Sequence, residues 1–233
     1  MKKVIVVLLI FVIGLALVAR SDASPYPETE KNLMAAVTGE TQANKNYLAF
    51  ADVADKERRK EIARLFRAIS DAELKHANDE FDILKGLDNT VQKPVPDKPT
   101  TGTTRQNLQA AIDGETYEFE VMYPGFITVA ETENMTTARR IFNFARQAER
   151  VHAILYKDLL DNFNKFDKEK YEIVYRCPVC GNILTTPVKC PICGVPPEQF
   201  IEYKIVDKDD IGCNAGLLAL ALGIIPFVVI RRK

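Results

Sequence analysis

The chain contains two histidines, and each of them lies three residues after a glutamate. Glu73 precedes His76 in this way, and Glu149 precedes His152. Residues three apart lie on one face of an α-helix, close enough to bind one ion together. Both pairs fall in stretches with the helical apolar period, so the chain is constrained to bring two helices together around a polar interior.

Four stretches between residues 27 and 166 carry apolar residues at three- and four-residue intervals, which is the helical period. Short connections join the first two stretches and the last two, whereas a polar segment with three prolines, residues 87–104, joins the second to the third. One long crossover in this place is typical of the ferritin-like four-helix bundle. The sequence therefore predicts a mainly α fold with this bundle over residues 27–166.

Acidic residues interrupt the apolar faces of all four predicted helices. They are Glu40, Glu73, Glu115, Glu118 and Glu149. A lone carboxylate costs several kcal/mol to bury, so each of these groups needs a partner. Ordinary core histidines with salt-bridged glutamates are one interpretation, but the apolar faces carry no cationic stripe to pair them. Two bound metal ions are the other, and carboxylates with two imidazoles suit iron or manganese.

A second, small module is predicted over residues 171–206, where short β-prone segments surround paired cysteines. Its cysteines form two Cys-x-x-Cys-Gly motifs with nine residues between them, namely Cys177, Cys180, Cys190 and Cys193. Four thiolates on two tight turns make a tetrahedral metal site, and the glycine after each pair permits a turn that aims N–H groups at sulfur. Iron, structural zinc and, in an exported protein, disulfides all fit this spacing.

The N-terminus has the parts of a secretory signal. Lys2 and Lys3 precede an uncharged apolar run over residues 4–19, and Ser21-Asp22-Ala23 follows it. We expect a signal peptide over residues 1–23, cleaved after Ala23. An uncleaved membrane anchor is the alternative, because the apolar run comes close to spanning a bilayer.

The C-terminus, residues 211–233, is a second membrane-directed segment. Sixteen almost purely apolar residues, 215–230, precede Arg231-Arg232-Lys233. The tail resembles bacterial CTERM sorting tails, in which a Cys-Asn-Ala-Gly motif precedes a hydrophobic helix and a basic stop, and this implies processing near Cys213. A short tail anchor broken by Pro226 is the alternative. Basic residues at both ends predict an exported protein, periplasmic or at the cell surface.

The overall charge argues against a nucleic-acid partner. The chain has 31 basic and 32 acidic residues, for a formal charge of −1. Its one internal basic cluster, residues 56–60, is interrupted by Glu57. We expect no nucleic-acid binding.

The bundle resembles rubrerythrin, within the ferritin-like superfamily. The resemblance lies in Gly39-Glu40-Thr41-Gln42-Ala43 with Tyr47, Glu73-x-x-His76, Gly114-Glu115-x-x-Glu118, Met122-Tyr123-Pro124 and Glu149-x-x-His152. It covers all four predicted helices. Residues 175–200 are similar to the rubredoxin-like tail of the same family, which implies iron at the four cysteines, with zinc as the alternative.

The resemblance implies a role for each ligand of a di-iron centre. Glu73 and Glu149 would bridge the two metals, Glu40 and Glu115 would be terminal ligands, and His152 would bind one iron. The other iron would exchange its ligand as its oxidation state changes. Its two alternative ligands would be His76 and Glu118.

The resemblance also implies a reaction, the reduction of hydrogen peroxide by the di-iron centre with electrons delivered from the four-thiolate iron. Glu118, His76, Tyr47 and Tyr123 would take part, although core packing alone accounts for either tyrosine. A homodimer is implied, since in the family the thiolate-bound iron of one subunit approaches the di-iron site of another. An exported protein would need an extracytoplasmic electron donor. The alternative function is a ferroxidase or an iron-binding or electron-carrier protein.

Overall fold

The computed structural model describes residues 24–204, and within them the predicted mainly α fold is confirmed. The helices are α1 (Pro27–Lys56), α2 (Lys60–Leu87), α3 (Thr104–Tyr117), α4 (Tyr123–Thr132) and α5 (Thr136–Asp161), with a π-helix at Glu118–Met122 between α3 and α4. The strands are β1 (Ile173–Arg176), β2 (Ile183–Leu184) and β3 (Ile201–Lys204). The predicted signal peptide and C-terminal tail lie outside the described residues.

Local signals set the helix ends. Pro27 stands in the first turn of α1, where its missing N–H costs nothing, and Glu28 and Glu30 in that turn complement the helix dipole. A reciprocal capping box between Thr103 and Gln106 begins α3 and ends the long crossover. In the segment 24–204, no helix combines the length and the apolar character needed to cross a membrane.

The bundle has two apolar clusters, and the acidic residues lie between them along every helix. One cluster includes Tyr47, Phe66, Leu108 and Tyr156. The other includes Leu33, Leu84, Tyr123 and Phe142. On α1, α2 and α5 the site residues come between a member of the first cluster and a member of the second, and Glu115 and Glu118 come between Ala111 of the first cluster and Tyr123 of the second. Apolar packing on both sides therefore holds a polar layer in the middle of the bundle and keeps water away from it.

The third predicted helix is interrupted, which the sequence did not predict. Tyr123 donates its backbone N–H to the carbonyl of Glu118, five residues earlier, so the chain widens here into one π turn. The cause is Pro124, which lacks an N–H and whose ring would clash with the carbonyl four residues before it in a regular α-helix. The π turn directs the Glu118 side chain toward the bundle interior, and this residue is 8% exposed.

The C-terminal module is a three-stranded antiparallel sheet in the order β2-β1-β3. Val174 of β1 is opposite Tyr203 of β3, and Arg176 is opposite Ile183 of β2. The module packs on α2 of its own chain, where the Tyr203 hydroxyl donates to Asp71 Oδ2 at 2.5 Å. Arg64, also on α2, donates to the carbonyl of Tyr171. These bonds connect the module to the helix that carries Glu73 and His76.

Candidate metal centres

Seven buried side chains meet in the polar layer of the bundle. Glu40, Glu73, Glu115, Glu149 and His152 are fully buried, His76 is 4% exposed and Glu118 is 8% exposed. Glu40, Glu73, His76 and Glu149 form one group in which one atom of each residue lies within 4.8 Å of the others. Glu73, Glu115, Glu149 and His152 form a second such group. The two groups share Glu73 and Glu149, so these two carboxylates lie between the two candidate metal positions.

The two oxygens of each shared carboxylate face different histidines. Glu149 Oε1 is 2.8 Å from His76 Nδ1, and its Oε2 is 2.8 Å from His152 Nδ1. Glu73 Oε2 is 3.2 Å from His76 Nδ1, and its Oε1 is 3.3 Å from His152 Nδ1. The imidazole rings lie nearly parallel with centroids 6.2 Å apart. This is a two-site arrangement with carboxylates between the sites and one imidazole at each.

The donor set fits two cations. One oxygen each of Glu40 and Glu118 is buried with no hydrogen-bond partner among the described residues. A buried carboxylate that lacks a partner is costly, and a divalent ion supplies the missing interaction. Oxygen and imidazole donors suit iron or manganese.

Burial and crowding shift the ionisation of this layer. Burial, and then repulsion from neighbouring carboxylates, raises the pKa of Glu40 and of Glu118 well above the ordinary value. Burial alone would raise the pKa of Glu149 and lower that of His76. The contact between Glu149 and the two imidazoles outweighs burial, lowering the pKa of Glu149 to about 2 and raising the pKa of His76 well above its usual range. Positive charge in this layer is therefore strongly favoured.

Glu118 stands apart from both four-residue groups. It lies on the π turn, and its pKa is affected by the charges of Glu115, Glu149 and Glu73 and, in the opposite direction, of His76. The structure thus places Glu118 in the polar layer but outside both groups, while His76 is a member of one group.

Both predicted tyrosines contact the site. The Tyr47 hydroxyl donates to Glu115 Oε1 at 2.8 Å, and the Tyr123 hydroxyl contacts Glu40. Tyr47 also packs edge-on against Tyr156, with ring centroids 5.5 Å apart. Core packing therefore accounts for only part of what these residues do, because each hydroxyl also contacts a carboxylate of the polar layer.

Glu80 is a site residue that the sequence reasoning missed. It is 1% exposed, and Tyr123 Oη lies 2.9 Å from its Oε1 as well as in contact with Glu40. A phenol has one proton, so a second hydrogen bond requires a proton on one carboxyl. Burial raises the pKa of Glu80 to about 8, which places a proton there at neutral pH. Its position seven residues after Glu73, on the same helical face, was the available signal.

The four cysteines form a compact cluster of free thiols. Cys177 Sγ is 3.4 Å from Cys193 Sγ, and Cys180 Sγ is 3.5 Å from Cys190 Sγ. A hydrogen bond from Cys180, together with backbone N–H groups, lowers the pKa of Cys177 to about 5. The predicted turns are present, since the glycine after each pair has a positive φ, 75° at Gly181 and 79° at Gly194. This is the arrangement of a four-thiolate metal site.

The two sites touch through the outer nitrogens of the histidines. His76 Nε2 lies 3.0 Å from the carbonyl oxygen of Cys180, and His152 Nε2 lies 3.2 Å from that of Gly181. Carbonyls only accept hydrogen bonds, so each ring carries a proton on Nε2 and presents Nδ1 to the carboxylates. In this chain the contact is made with the module of the same chain, whereas the resemblance implied contact between subunits.

A helical bundle with a paired carboxylate and histidine layer defines a ferritin-like protein with a two-metal centre. The family description "Rubrerythrin" matches residues 31–160, and "Rubrerythrin, rubredoxin-like domain" matches residues 175–201. The chain belongs to the rubrerythrin family, a family of di-iron oxidoreductases. Its cofactors are accordingly a di-iron site in the bundle and a rubredoxin-like metal site at the four cysteines.

Relatives match most of their own length to this chain. Nigerythrin of Nitratidesulfovibrio vulgaris is 37% identical over 177 residues, which are 75% of this chain and 86% of nigerythrin. Rubrerythrin-2 of Clostridium acetobutylicum is 35% identical, over 72% of this chain and 92% of that protein. The solved structure of fully reduced, all-ferrous nigerythrin superposes with a TM-score of 0.72 at 36% identity, covering 80% of this chain and 91% of that one.

Proposed function

We propose that this protein is a peroxidase that reduces hydrogen peroxide to water with electrons delivered through iron at the four cysteines. The observation that carries the proposal is the double contact between the first cysteine turn and the two site histidines, at 3.0 and 3.2 Å. A storage protein has no need to join a thiolate site to the bundle site. Each turnover takes one peroxide, two electrons and two protons and yields two water molecules.

The ligand roles that the resemblance implies are supported by the geometry. Glu73 and Glu149 would bridge the two metals, since each faces both histidines, and Glu40 and Glu115 would be terminal ligands. His152 would bind one metal, and His76 or Glu118 would bind the other according to its oxidation state. The π turn carries Glu118 and provides the backbone irregularity that such an exchange needs. When bound, the di-iron pair supplies electrons to peroxide, and the thiolate-bound iron replaces them singly.

The protein's own part is to position ligands, exclude water and hold protons. Burial of the whole layer keeps bulk solvent from the reacting oxygens. The Tyr123 hydroxyl lies between Glu40 and the protonated Glu80. A group that holds a proton is thus connected, through this hydroxyl, to a residue that would be a terminal ligand. Protons for the two water molecules can be relayed from Glu80 through the Tyr123 hydroxyl.

We further propose that the protein acts outside the cytoplasm and takes electrons from an extracytoplasmic donor. The support is the sequence of residues 1–23 and 211–233, which has the character of a signal peptide and of a membrane-directed tail. A homodimer is the expected assembly from the family resemblance. Mass spectrometry of protein recovered from cells tests both termini, and a mature chain that begins at Met1 and is found in the cytoplasm would refute export.

Stopped-flow mixing of anaerobically reduced, iron-loaded protein with peroxide, and separately with oxygen, tests the reaction. We expect faster oxidation by peroxide than by oxygen, followed by oxidation of the thiolate-bound iron. Faster oxidation by oxygen would instead indicate a ferroxidase. Absence of any thiolate-to-iron absorption band would show that the cysteine site holds no iron and would remove it from electron delivery.

A further inference from the structure

We propose that Gly181 is a positioning residue: its missing side chain lets the first cysteine turn approach the di-iron histidines, and this approach determines how fast electrons pass between the two sites. The inference rests on the proposed function for its kinetic consequence. The contact itself is independent of that function.

The contact leaves no room for a side chain. A Cβ built at Gly181 would lie 2.3 Å from His76 Nε2, 2.9 Å from Cε1 and 3.2 Å from Cδ2. Carbon and nitrogen atoms that are not bonded pack at about 3.5 to 4.0 Å, so a methyl group would overlap the outer edge of the ring. Either the imidazole or the cysteine turn would have to move.

The imidazole is held on both sides. His76 Nδ1 is 2.8 Å from Glu149 and 3.2 Å from Glu73, and its Nε2 is 3.0 Å from the Cys180 carbonyl. Tilting the ring out of the way would pull Nδ1 from the carboxylates. The cysteine turn also contacts the second histidine, because His152 Nε2 reaches the Gly181 carbonyl. A shift of the turn away from His76 would therefore lengthen both contacts, from His76 to the Cys180 carbonyl and from His152 to the Gly181 carbonyl.

The chain contains a matched comparison in Gly194. This residue occupies the same place in the second turn, with φ 79° against 75° for Gly181. Each glycine N–H donates to the backbone carbonyl of the first cysteine of its pair, Gly181 to Cys177 at 3.2 Å and Gly194 to Cys190 at 2.9 Å. A Cβ at Gly194 would meet only Lys189 Cε at 3.6 Å, an ordinary contact. Alanine thus strains the backbone equally at both positions but collides with the bundle at one.

The experiment compares G181A with G194A in the full-length protein. In the iron-loaded form, stopped-flow absorbance follows oxidation of the di-iron site by peroxide and the subsequent loss of one electron from the thiolate-bound iron. We expect G181A to slow this second step at least about tenfold relative to G194A, because a misplacement of about 1 Å is costly for a positioned pair. The first step is measured in each variant as well, so that an effect of displacing His76, a ligand of the di-iron site, is distinguished from slower electron transfer.

A second readout does not depend on activity. In protein loaded with zinc, which has no redox chemistry, we expect faster hydrogen exchange over residues 180–184 and around His76 in G181A than in G194A. If G181A fails to bind metal at the cysteines, the pair G181N and G194N replaces it, because asparagine tolerates positive φ while retaining a Cβ.

Equal exchange and equal electron-transfer rates in the two variants would overturn the proposal. A wild-type protein that does not react with peroxide would refute the proposed function, and the exchange comparison would still decide the role of Gly181. Faster exchange in G181A without slower electron transfer would also overturn the proposal, since the contact would then not determine the rate.

Discussion

The two metal sites of this protein are built in opposite ways. The cysteine site is local, because its four thiols come from 17 consecutive residues, 177–193, and two short turns bring them together. The bundle site draws on residues from 40 to 152, one or two from each helix, and the packing of α1, α2, α3 and α5 brings them together. A local site can form as soon as its turns form, whereas the dispersed site exists only when the bundle is folded.

The two sites also differ in how their ligand groups affect the free energy of folding. In the bundle, five carboxylates share one buried layer, so the site opposes folding until positive charge enters it. The cysteine turns instead direct backbone N–H groups at sulfur, and these stabilise a thiolate at Cys177. Removing ligands, changing pH and neutralising single carboxyls each test this contrast.

Removing one shared ligand should abolish one site and spare the other. We expect Glu149→Ala to lose both bundle metals, because this carboxylate belongs to both ligand groups, and to retain the iron at the cysteines. Cys190→Ser should do the reverse. Iron analysis together with absorption spectra measures both, and Glu120→Gln, at an exposed residue of the π turn, is the control. Loss of both sites in either variant would contradict independent assembly.

The stability of metal-free protein should fall as pH rises from about 5 to about 8. The pKa of Glu40, Glu115 and Glu118 is raised in the folded chain, chiefly by burial, so over this range the folded state holds protons that the unfolded state has released. The raised pKa of His76 acts in the same direction, since the stability it contributes is present at low pH and is lost as pH rises. The lowered pKa of Glu149 changes the pH dependence of stability only below about pH 4.5.

Urea denaturation at several pH values, with and without metal, measures this dependence. In metal-loaded protein the trend should flatten or reverse, because metal binds deprotonated carboxylates and its affinity rises with pH. A metal-free protein whose stability rises over the same range would show that the buried carboxyls are ionised and otherwise compensated.

Two carboxyls that contact the same hydroxyl should respond differently to neutralisation. We expect Glu40→Gln to weaken metal binding strongly, because it removes a charged ligand. Glu80→Gln should keep both metals and change the free energy of unfolding by about 1 kcal/mol or less, since Glu80 is already protonated at neutral pH and an amide can still donate to Tyr123. Metal titration and urea denaturation of both variants check this. Equal loss of metal in both variants would indicate that Glu80 is also a metal ligand.

The smallest effect is expected where the module is attached to the bundle. Tyr203→Phe removes the hydrogen bond to Asp71 Oδ2 and should cost about 0.5–1.5 kcal/mol of unfolding free energy, with both metal sites intact. Thermal or urea unfolding measures the cost. Loss of bundle iron in this variant would show that the cysteine module helps to form the dispersed site.

Sequence alone determined the elements and the ligand types. Helical periodicity with glutamates inside the apolar faces predicted the bundle and its inward carboxylates, because a buried charge in a repeating apolar pattern has few explanations. The doubled Cys-x-x-Cys-Gly predicted both turns, because such turns depend only on neighbouring residues, and the structure shows that Gly181 and Gly194 adopt a positive φ in them.

Tertiary structure decided everything that depends on how distant segments meet. The burial of Glu80 against Tyr123 and the contact of both histidines with the first cysteine turn join residues from 29 to 104 positions apart. The π turn depends on how a helix accommodates Pro124. No periodic pattern carries this information, since it arises from packing between elements. The sequence thus predicted which groups would bind metal, and only the folded chain determined that the two sites touch.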